Sequence, residues 1–229
     1  MHIDIVTGVP RLLDSPLGES ILKRAQEKKL ARIVVHDIRT FAHDKHRTID
    51  DRQYGGGSGM VLKPEPIFEC VESLKKEREY DEIILLSAEG TRFHQKIATE
   101  LSLKKNLILI CGHYKGVDER VRQALATSVI SIGEFVLTGG ELAAAVVVDS
   151  VVRLIPGVLN DGESELTDSF QDGLIGSPVY TRPEEYRGIR VPEILLSGNH
   201  RQIEEWREGE RRKRTDDIRN GFSGTEELR

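Results

Sequence analysis

Three glycine-bearing segments follow short apolar runs in this chain: Ser87-Ala88-Glu89-Gly90, Cys111-Gly112-His113-Tyr114-Lys115-Gly116, and Ser131-Ile132-Gly133 with Leu137-Thr138-Gly139-Gly140-Glu141. Each is placed to be a loop at the carboxyl end of a parallel strand, where open α/β sheets bind their ligands. Singly, such glycines serve tight turns; three loops in succession can wall one pocket. A separate run, Tyr54-Gly55-Gly56-Gly57-Ser58-Gly59-Met60, gives a loop whose backbone can approach a substrate closely. Neither Gly-x-Gly-x-x-Gly after a strand nor Gly-x-x-x-x-Gly-Lys-[Ser/Thr] occurs, so a dinucleotide fold and a P-loop lose their main support. Cys70 and Cys111 stand apart without zinc-ligand spacing and read as isolated buried thiols.

These loops need a scaffold, and the chain supplies one by alternation. His2 to Val6 alternates with period two, Leu17 to Leu30 has helical spacing, and Ala31 to Ile38 is β-branched. Pro64 to Glu79 predicts a helix with prolines confined to its first turn. Glu82 to Ser87 and Asn106 to Cys111 are nearly continuous apolar runs, the pattern of strands covered on both faces. Thr91 to Leu103 and Val117 to Thr127 predict amphipathic helices, Val129 to Ile132 a strand, and Glu141 to Leu154 a long apolar helix. The order predicts an α/β fold with a parallel sheet and helices on both faces. After Pro156, Asn160 to Gly176 reads as a Gly-, Ser- and acid-rich linker, and Asn199 to Arg214 as a charged helix. The predicted organisation is therefore 1–159, an α/β domain; 160–176, a linker; and 177–229, a small, mainly helical domain.

The chain has 229 residues, 38% of them hydrophobic and 31% charged, with 33 Lys+Arg against 38 Asp+Glu and a formal net charge of -5. Such a balance excludes a disordered or fibrous chain and argues against nonspecific coating of nucleic acid. Between Lys23 and Arg52, however, nine Lys/Arg stand against five acids, which suits a solvated face and a phosphate track equally. The longest apolar run, Leu142 to Val148, is too short to span a bilayer, and the start lacks a basic segment followed by a long apolar one. The expectation is a cytoplasmic protein without membrane contact.

The segments Asp50-Asp51-Arg52-Gln53-Tyr54-Gly55-Gly56-Gly57-Ser58-Gly59-Met60, Gly112 to Arg120, Ser131 to Ala143, Thr167-Asp168-Ser169-Phe170, Tyr180-Thr181-Arg182-Pro183 and Leu195-Leu196-Ser197-Gly198-Asn199-His200 resemble the bacterial tRNA (guanine-N1)-methyltransferases of the SPOUT class. The resemblance runs from Met1 to the helix around Trp206. It implies methylation of guanosine 37 beside the anticodon, a deep trefoil knot at the end of the α/β domain, and a helical C-terminal domain that binds tRNA. It implies S-adenosyl-L-methionine held by Leu86, Ser87, Gly90, Gly112, Tyr114, Gly116, Ser131, Ile132, Gly133, Leu137, Gly139 and Gly140. Asp168 would be the general base for the N1 proton, and Arg153 would stabilise charge on guanine O6. Without the resemblance, Asp168 reads equally as a helix cap. Asp50, Arg52, Tyr54, Gly55, Gly57, Gly59 and Met60 would meet the target guanosine and its 5′ neighbour. The resemblance further implies a homodimer whose active site is shared between subunits, and the tRNA anticodon stem-loop, not DNA, as the partner. Arg211 to Arg214 would grip phosphates or form a solvated helix end.

Departures from the family pattern carry their own expectations. Where relatives commonly have Arg-Tyr-Glu-Gly, this chain has His113-Tyr114-Lys115-Gly116, so a carboxylate linked to magnesium is replaced by a cation. Magnesium dependence is expected to be weak, with Lys115 acting in its place or with Glu119 or Glu141 as an oxygen ligand. Gln53 and Ser58 replace prolines or small residues in the glycine loop, and Phe135 replaces a common tyrosine. Two competing functions remain: a SPOUT methyltransferase with another target nucleotide, and a noncatalytic RNA-binding protein on the same fold.

Overall fold

The computed structural model describes residues 1–159 and 169–223, in two compact units, Met1–Asn160 and Asp161–Arg229. The first begins β1 (His2–Thr7), α1 (Asp14–Gly18), α2 (Ser20–Glu27), β2 (Arg32–Asp37), β3 (Asp50–Arg52), β4 (Met60–Leu62) and α3 (Pro64–Glu77). It continues β5 (Glu82–Arg92), α4 (Gln95–Ser102), β6 (Asn106–Cys111), α5 (Glu119–Ala124), β7 (Ser128–Ser131) and α6 (Glu141–Val152). Five strands form one sheet in the order β2-β1-β6-β5-β7, every neighbouring pair parallel. The expected α/β sheet with helices on both faces is present.

Strand alternation divides the core between those faces. Ile3, Ile5, Ile84, Leu86, Leu107 and Leu109 point to the side packed by α2, α4 and α6. Val6, Ile83, Leu85, Ile108 and Ile110 point to the side packed by α3 and α5. Both faces are dry, which is why the strands read as continuous apolar runs. Cys70 and Cys111 are buried and unpaired, as their isolation in the sequence predicts.

Several boundaries differ from the sequence reading, among them the charged helix expected to end at Arg214, which runs on to Ser223. The helix expected over Leu17 to Leu30 is broken into α1 and α2, because Glu19 is extended and Ser20 takes a φ of 52°. The Ser87–Gly90 segment is not a free loop: β5 runs on to Arg92 through an irregularity between Leu86 and Thr91, and α4 starts only at Gln95. Leu86 and Thr91 both pair with Ile130 of β7, so Ser87 to Gly90 bulge out of the ladder between them. The helix expected over Val117 to Thr127 is shortened to α5, capped by the Asp118 side chain.

The second unit contains a short hairpin, β8 (Glu185–Tyr186) with β9 (Ile189–Arg190), then α7 (Glu193–Leu196) and α8 (His200–Ser223). The described end of the predicted linker is fastened to α8. Asp172 takes two hydrogen bonds from Arg211, 2.6 and 2.7 Å, and the Ile175 amide donates to the buried Thr215 hydroxyl. The Arg211 guanidinium holds the Asp172 carboxyl below its usual range. Arg211 is thus engaged within its own unit.

Candidate active site

The carboxyl ends of β5, β6 and β7 open into one cleft, lined by residues 86–89, 112–116, 130–133 and 135–140 together with Ala143. Of the twelve residues expected to contact a methyl donor, every one except Gly90 lies on this lining. Gly90 sits instead where β5 crosses β7: a Cβ there would come within 2.6 Å of the Ile130 backbone, so glycine permits the crossing. Ala88, Glu89, His113, Lys115 and Thr138, which belong to the predicted loops, share the wall, and Ile130, Phe135, Val136 and Ala143 join it from outside them. Ile130 lies within β7 and Ala143 within α6, so no glycine loop marks them.

Two loops are locked against each other at the floor. The Gly140 amide donates to the Gly112 carbonyl at 2.8 Å, and His113 and Gly139 form an antiparallel bridge. A Cβ at Gly140 would lie 2.9 Å from Cys111 Cα and 3.1 Å from the Gly112 nitrogen. Backbone therefore packs directly on backbone. The wall leaves main-chain amides and carbonyls beside apolar Leu86, Ile132 and Leu137, surroundings that suit a molecule with a flat apolar base and polar ends. Tyr114 holds a φ of 59°, a strained value for a tyrosine that places its half-exposed ring in the cleft.

The glycine run forms the connection of the β3–β4 hairpin, in which Asp50 pairs with Leu62 and Arg52 with Met60. Gly55, Gly57 and Gly59 have φ values of 83°, 112° and 93°, a left-handed path that favours glycine. Tyr54 at the turn is fully exposed. The hairpin is stitched to the cleft wall: the Lys115 amide donates to the Met60 carbonyl, and the Leu62 amide to the Gly116 carbonyl, both at 3.0 Å. The Lys115 stem also packs against Gly59. The hairpin and the cleft expected to serve base and donor are therefore built as neighbours.

Beneath the floor, Glu141 opens α6 and is 1% exposed. The Thr7 hydroxyl at the end of β1 donates to its Oε1 at 2.6 Å. Burial and the nearby Glu141 charge push the Cys111 thiol well up, so it is an inert packing group. Among the described residues, no group of three or more His, Cys, Asp or Glu is placed to hold a metal ion. The charged side chains on the cleft wall are Lys115 and Glu89, a donor set that does not suit magnesium. Glu119 lies on α5 and Glu141 is directed to Thr7.

Arg153 caps the far end of α6. It lies twelve positions after Glu141, about 18 Å along the axis. The fold of one chain thus does not bring Arg153 to its own cleft. Asp168 lies outside the described residues.

The model of the family described as tRNA (Guanine-1)-methyltransferase TrmD matches residues 1–224. A tRNA (guanine-N(1)-)-methyltransferase of Cytophaga hutchinsonii is 61% identical over 207 residues, 90% of this chain and 88% of that protein. One from Christiangramia forsetii is 55% identical over 219 residues, 96% of this chain and 97% of that protein. The enzyme of that name from Bacteroides fragilis is 55% identical over 206 residues, 90% and 92% of the two chains. A family match over residues 1–224, with relatives of this identity and coverage, means that the chain belongs to the tRNA (guanine-1)-methyltransferase family.

Proposed function

We propose that this protein transfers a methyl group to N1 of guanosine 37 in tRNA, recognising the anticodon stem-loop. The observation that carries this reading is the cleft at the ends of β5, β6 and β7 with the glycine hairpin bonded to its rim. S-adenosyl-L-methionine, when bound, supplies an electrophilic sulfonium methyl. The 86–89, 112–116, 131–133 and 137–140 segments hold it, chiefly through main-chain groups. Guanine N1 carries a proton at neutral pH, and Asp168 takes it as general base. The Arg153 guanidinium stabilises the negative charge that then develops on O6. Asp50, Arg52, Tyr54 and Met60 meet the guanosine and its 5′ neighbour, with Gly55, Gly57 and Gly59 letting the backbone approach.

The active site is completed by a second copy of the chain. Support comes from the 12-residue length of α6, which parts Arg153 from the cleft. It comes also from Leu142 and Val146, exposed one turn apart on α6, and from exposed Phe135 and Val136 just before that helix. The expected trefoil knot is supported by the Gly139–His113 bridge and the close packing of Gly140 on Cys111. Residues 160–176 serve as the segment that presents Asp168, and 177–229 as the tRNA-binding domain. The protein works in the cytoplasm; among the described residues no helix is long and apolar enough to cross a membrane.

Methyl transfer to an unmodified tRNA transcript with guanosines 36 and 37 tests this directly. Incorporation is expected there, not into a guanosine 37→adenosine transcript, and not with the Asp168→Asn enzyme. Incorporation into both transcripts would instead identify another target nucleotide, and donor binding with no transfer at all would leave an RNA-binding protein. Lys115 leads to a second expectation. Adding a chelator should lower the initial rate by less than about threefold, because a fixed cation stands where a metal ligand would be needed. A loss of most of the activity, restored by magnesium, would sink that idea.

A further inference from the structure

We propose that His113 and Glu141 form a positioning pair for the methyl donor, the imidazole Nδ1 donating to Glu141 Oε2 and clasping the 112–116 loop to the start of α6. The proposal rests on reading the cleft as the donor site.

Glu141 is 1% exposed, and only one of its oxygens is engaged, by Thr7. Its Oε2 and His113 Nδ1 are both buried without a hydrogen-bond partner, 3.8 Å apart. An unpaired buried carboxylate oxygen is costly, and each of these two atoms is what the other lacks. A small imidazole rotation, closing the gap by about 0.8 Å, brings them to bonding distance. A carboxylate at the first turn of a helix can also act simply on the helix dipole. That role needs no burial and no tie to Thr7, a residue 134 positions away in sequence. Thr7 refers the carboxylate to β1, so the clasp is held by the sheet rather than by another loop.

The pair touches the donor cleft at three points. The His113 ring meets the Tyr114 ring edge-on, with centroids 4.7 Å apart, and Tyr114 lines the cleft. Gly139, also on the lining, flanks the gap so closely that a Cβ would overlap both Oε2 and Nδ1. His113 itself forms part of the wall. Closing the pair therefore fixes Tyr114 and Gly139 together.

Calorimetric titration with S-adenosyl-L-methionine and steady-state kinetics would decide the matter for wild type, His113→Ala, His113→Asn, Glu141→Ala and the Ala/Ala double variant. His113→Ala is expected to weaken donor binding about tenfold and to raise KM for the donor, with KM for tRNA and kcat nearly unchanged. His113→Asn, whose amide places a donor where Nδ1 stood, should bind as wild type does. The double variant should be no worse than Glu141→Ala alone. Unchanged donor affinity in His113→Ala, equal weakening in His113→Asn, or additive losses would overturn the pair. Should Glu141→Ala fail to fold, the comparison of alanine with asparagine at the partly exposed position 113 decides alone. Failure of the wild type to bind the donor would overturn both the donor-site reading and the pair.

Discussion

Replacing Gly140 with alanine is expected to abolish measurable binding of S-adenosyl-L-methionine and to lower methyl transfer at least about 100-fold, equivalent to roughly 2.7 kcal/mol of barrier. The cause is steric alone. Gly140 has φ −79° and ψ −7°, values that alanine adopts freely, so no backbone strain enters. The added methyl would meet Cys111 Cα at 2.9 Å and the Gly112 nitrogen at 3.1 Å, both main-chain atoms of the β6 end. Neither can swing aside as a side chain would. The start of α6 must move off β6, and the 2.8 Å bond from the Gly140 amide to the Gly112 carbonyl must lengthen. Overpacking of this kind costs about 1–3 kcal/mol, which a domain with two full core layers can absorb. The variant should therefore remain folded by circular dichroism while failing in calorimetric titration. Wild-type affinity in a folded Gly140→Ala protein would show that this contact does not shape the donor site.

Asp4 is the second position of large effect, and its effect is on stability. It is 1% exposed on the α3 side of β1, with His36 Nε2 at 2.7 Å from Oδ1. The Tyr80 hydroxyl donates to Oδ2 at 2.6 Å, Arg78 Nη1 donates to it at 3.2 Å, and His2 Nε2 lies 3.0 Å away. Removing one member of such a buried cluster leaves the others unpaired, so Asp4→Ala should cost about 3–5 kcal/mol in urea unfolding at pH 7.5. A loss under about 1 kcal/mol would mean that water or repacking replaces the carboxylate.

The same cluster gives stability an acid slope. Burial lowers the His2 pKa, with Asp4 offsetting only part of the effect. As pH falls below about 6.5, the unfolded chain takes that proton first, and stability declines until His2 is protonated in the fold as well. Burial alone would raise the Asp4 carboxyl, but hydrogen bonds from His36, Tyr80 and His2 outweigh it and hold the group below its usual value. Its stabilisation is complete above the unfolded pKa of about 3.9 and is lost as pH falls through the lower folded value. Asp4→Asn should flatten the part of the slope below about pH 4.

The sheet was legible because its strands are dry on both faces, and runs such as Asn106–Cys111 have no other explanation. What escaped the sequence was decided by partners far along the chain. Ala88-Glu89-Gly90 has the composition of a turn, and it is the return of Thr91 and Arg92 to β7 that carries β5 past it. Asp4 reads as one acid in an alternating segment, since its four partners come from β1 itself, β2 and the segment after α3. Most of the cleft lining could be named from family motifs, because glycines at strand ends mark it. Thr7 and Glu141 carry no such mark: their pairing spans 134 positions. The separation of Arg153 from the cleft, by contrast, follows from counting residues along one helix.

The place of β1 in the sheet also sets the order in which the protein can be made. β1 leaves the ribosome before either of its partners, yet it lies between β2 and β6, with His2 opposite both Arg32 and Asn106. Its pairing with β2 closes a short stretch of chain and can form early. The other edge stays bare until Asn106 has been synthesised. Closing that span costs on the order of 4 kcal/mol in length-dependent chain entropy, recovered only when β6 docks. Throughout that interval the edge of β1 that carries Ile3, Ile5 and Val6 lacks its partner strand, the kind of open edge at which chains associate with one another.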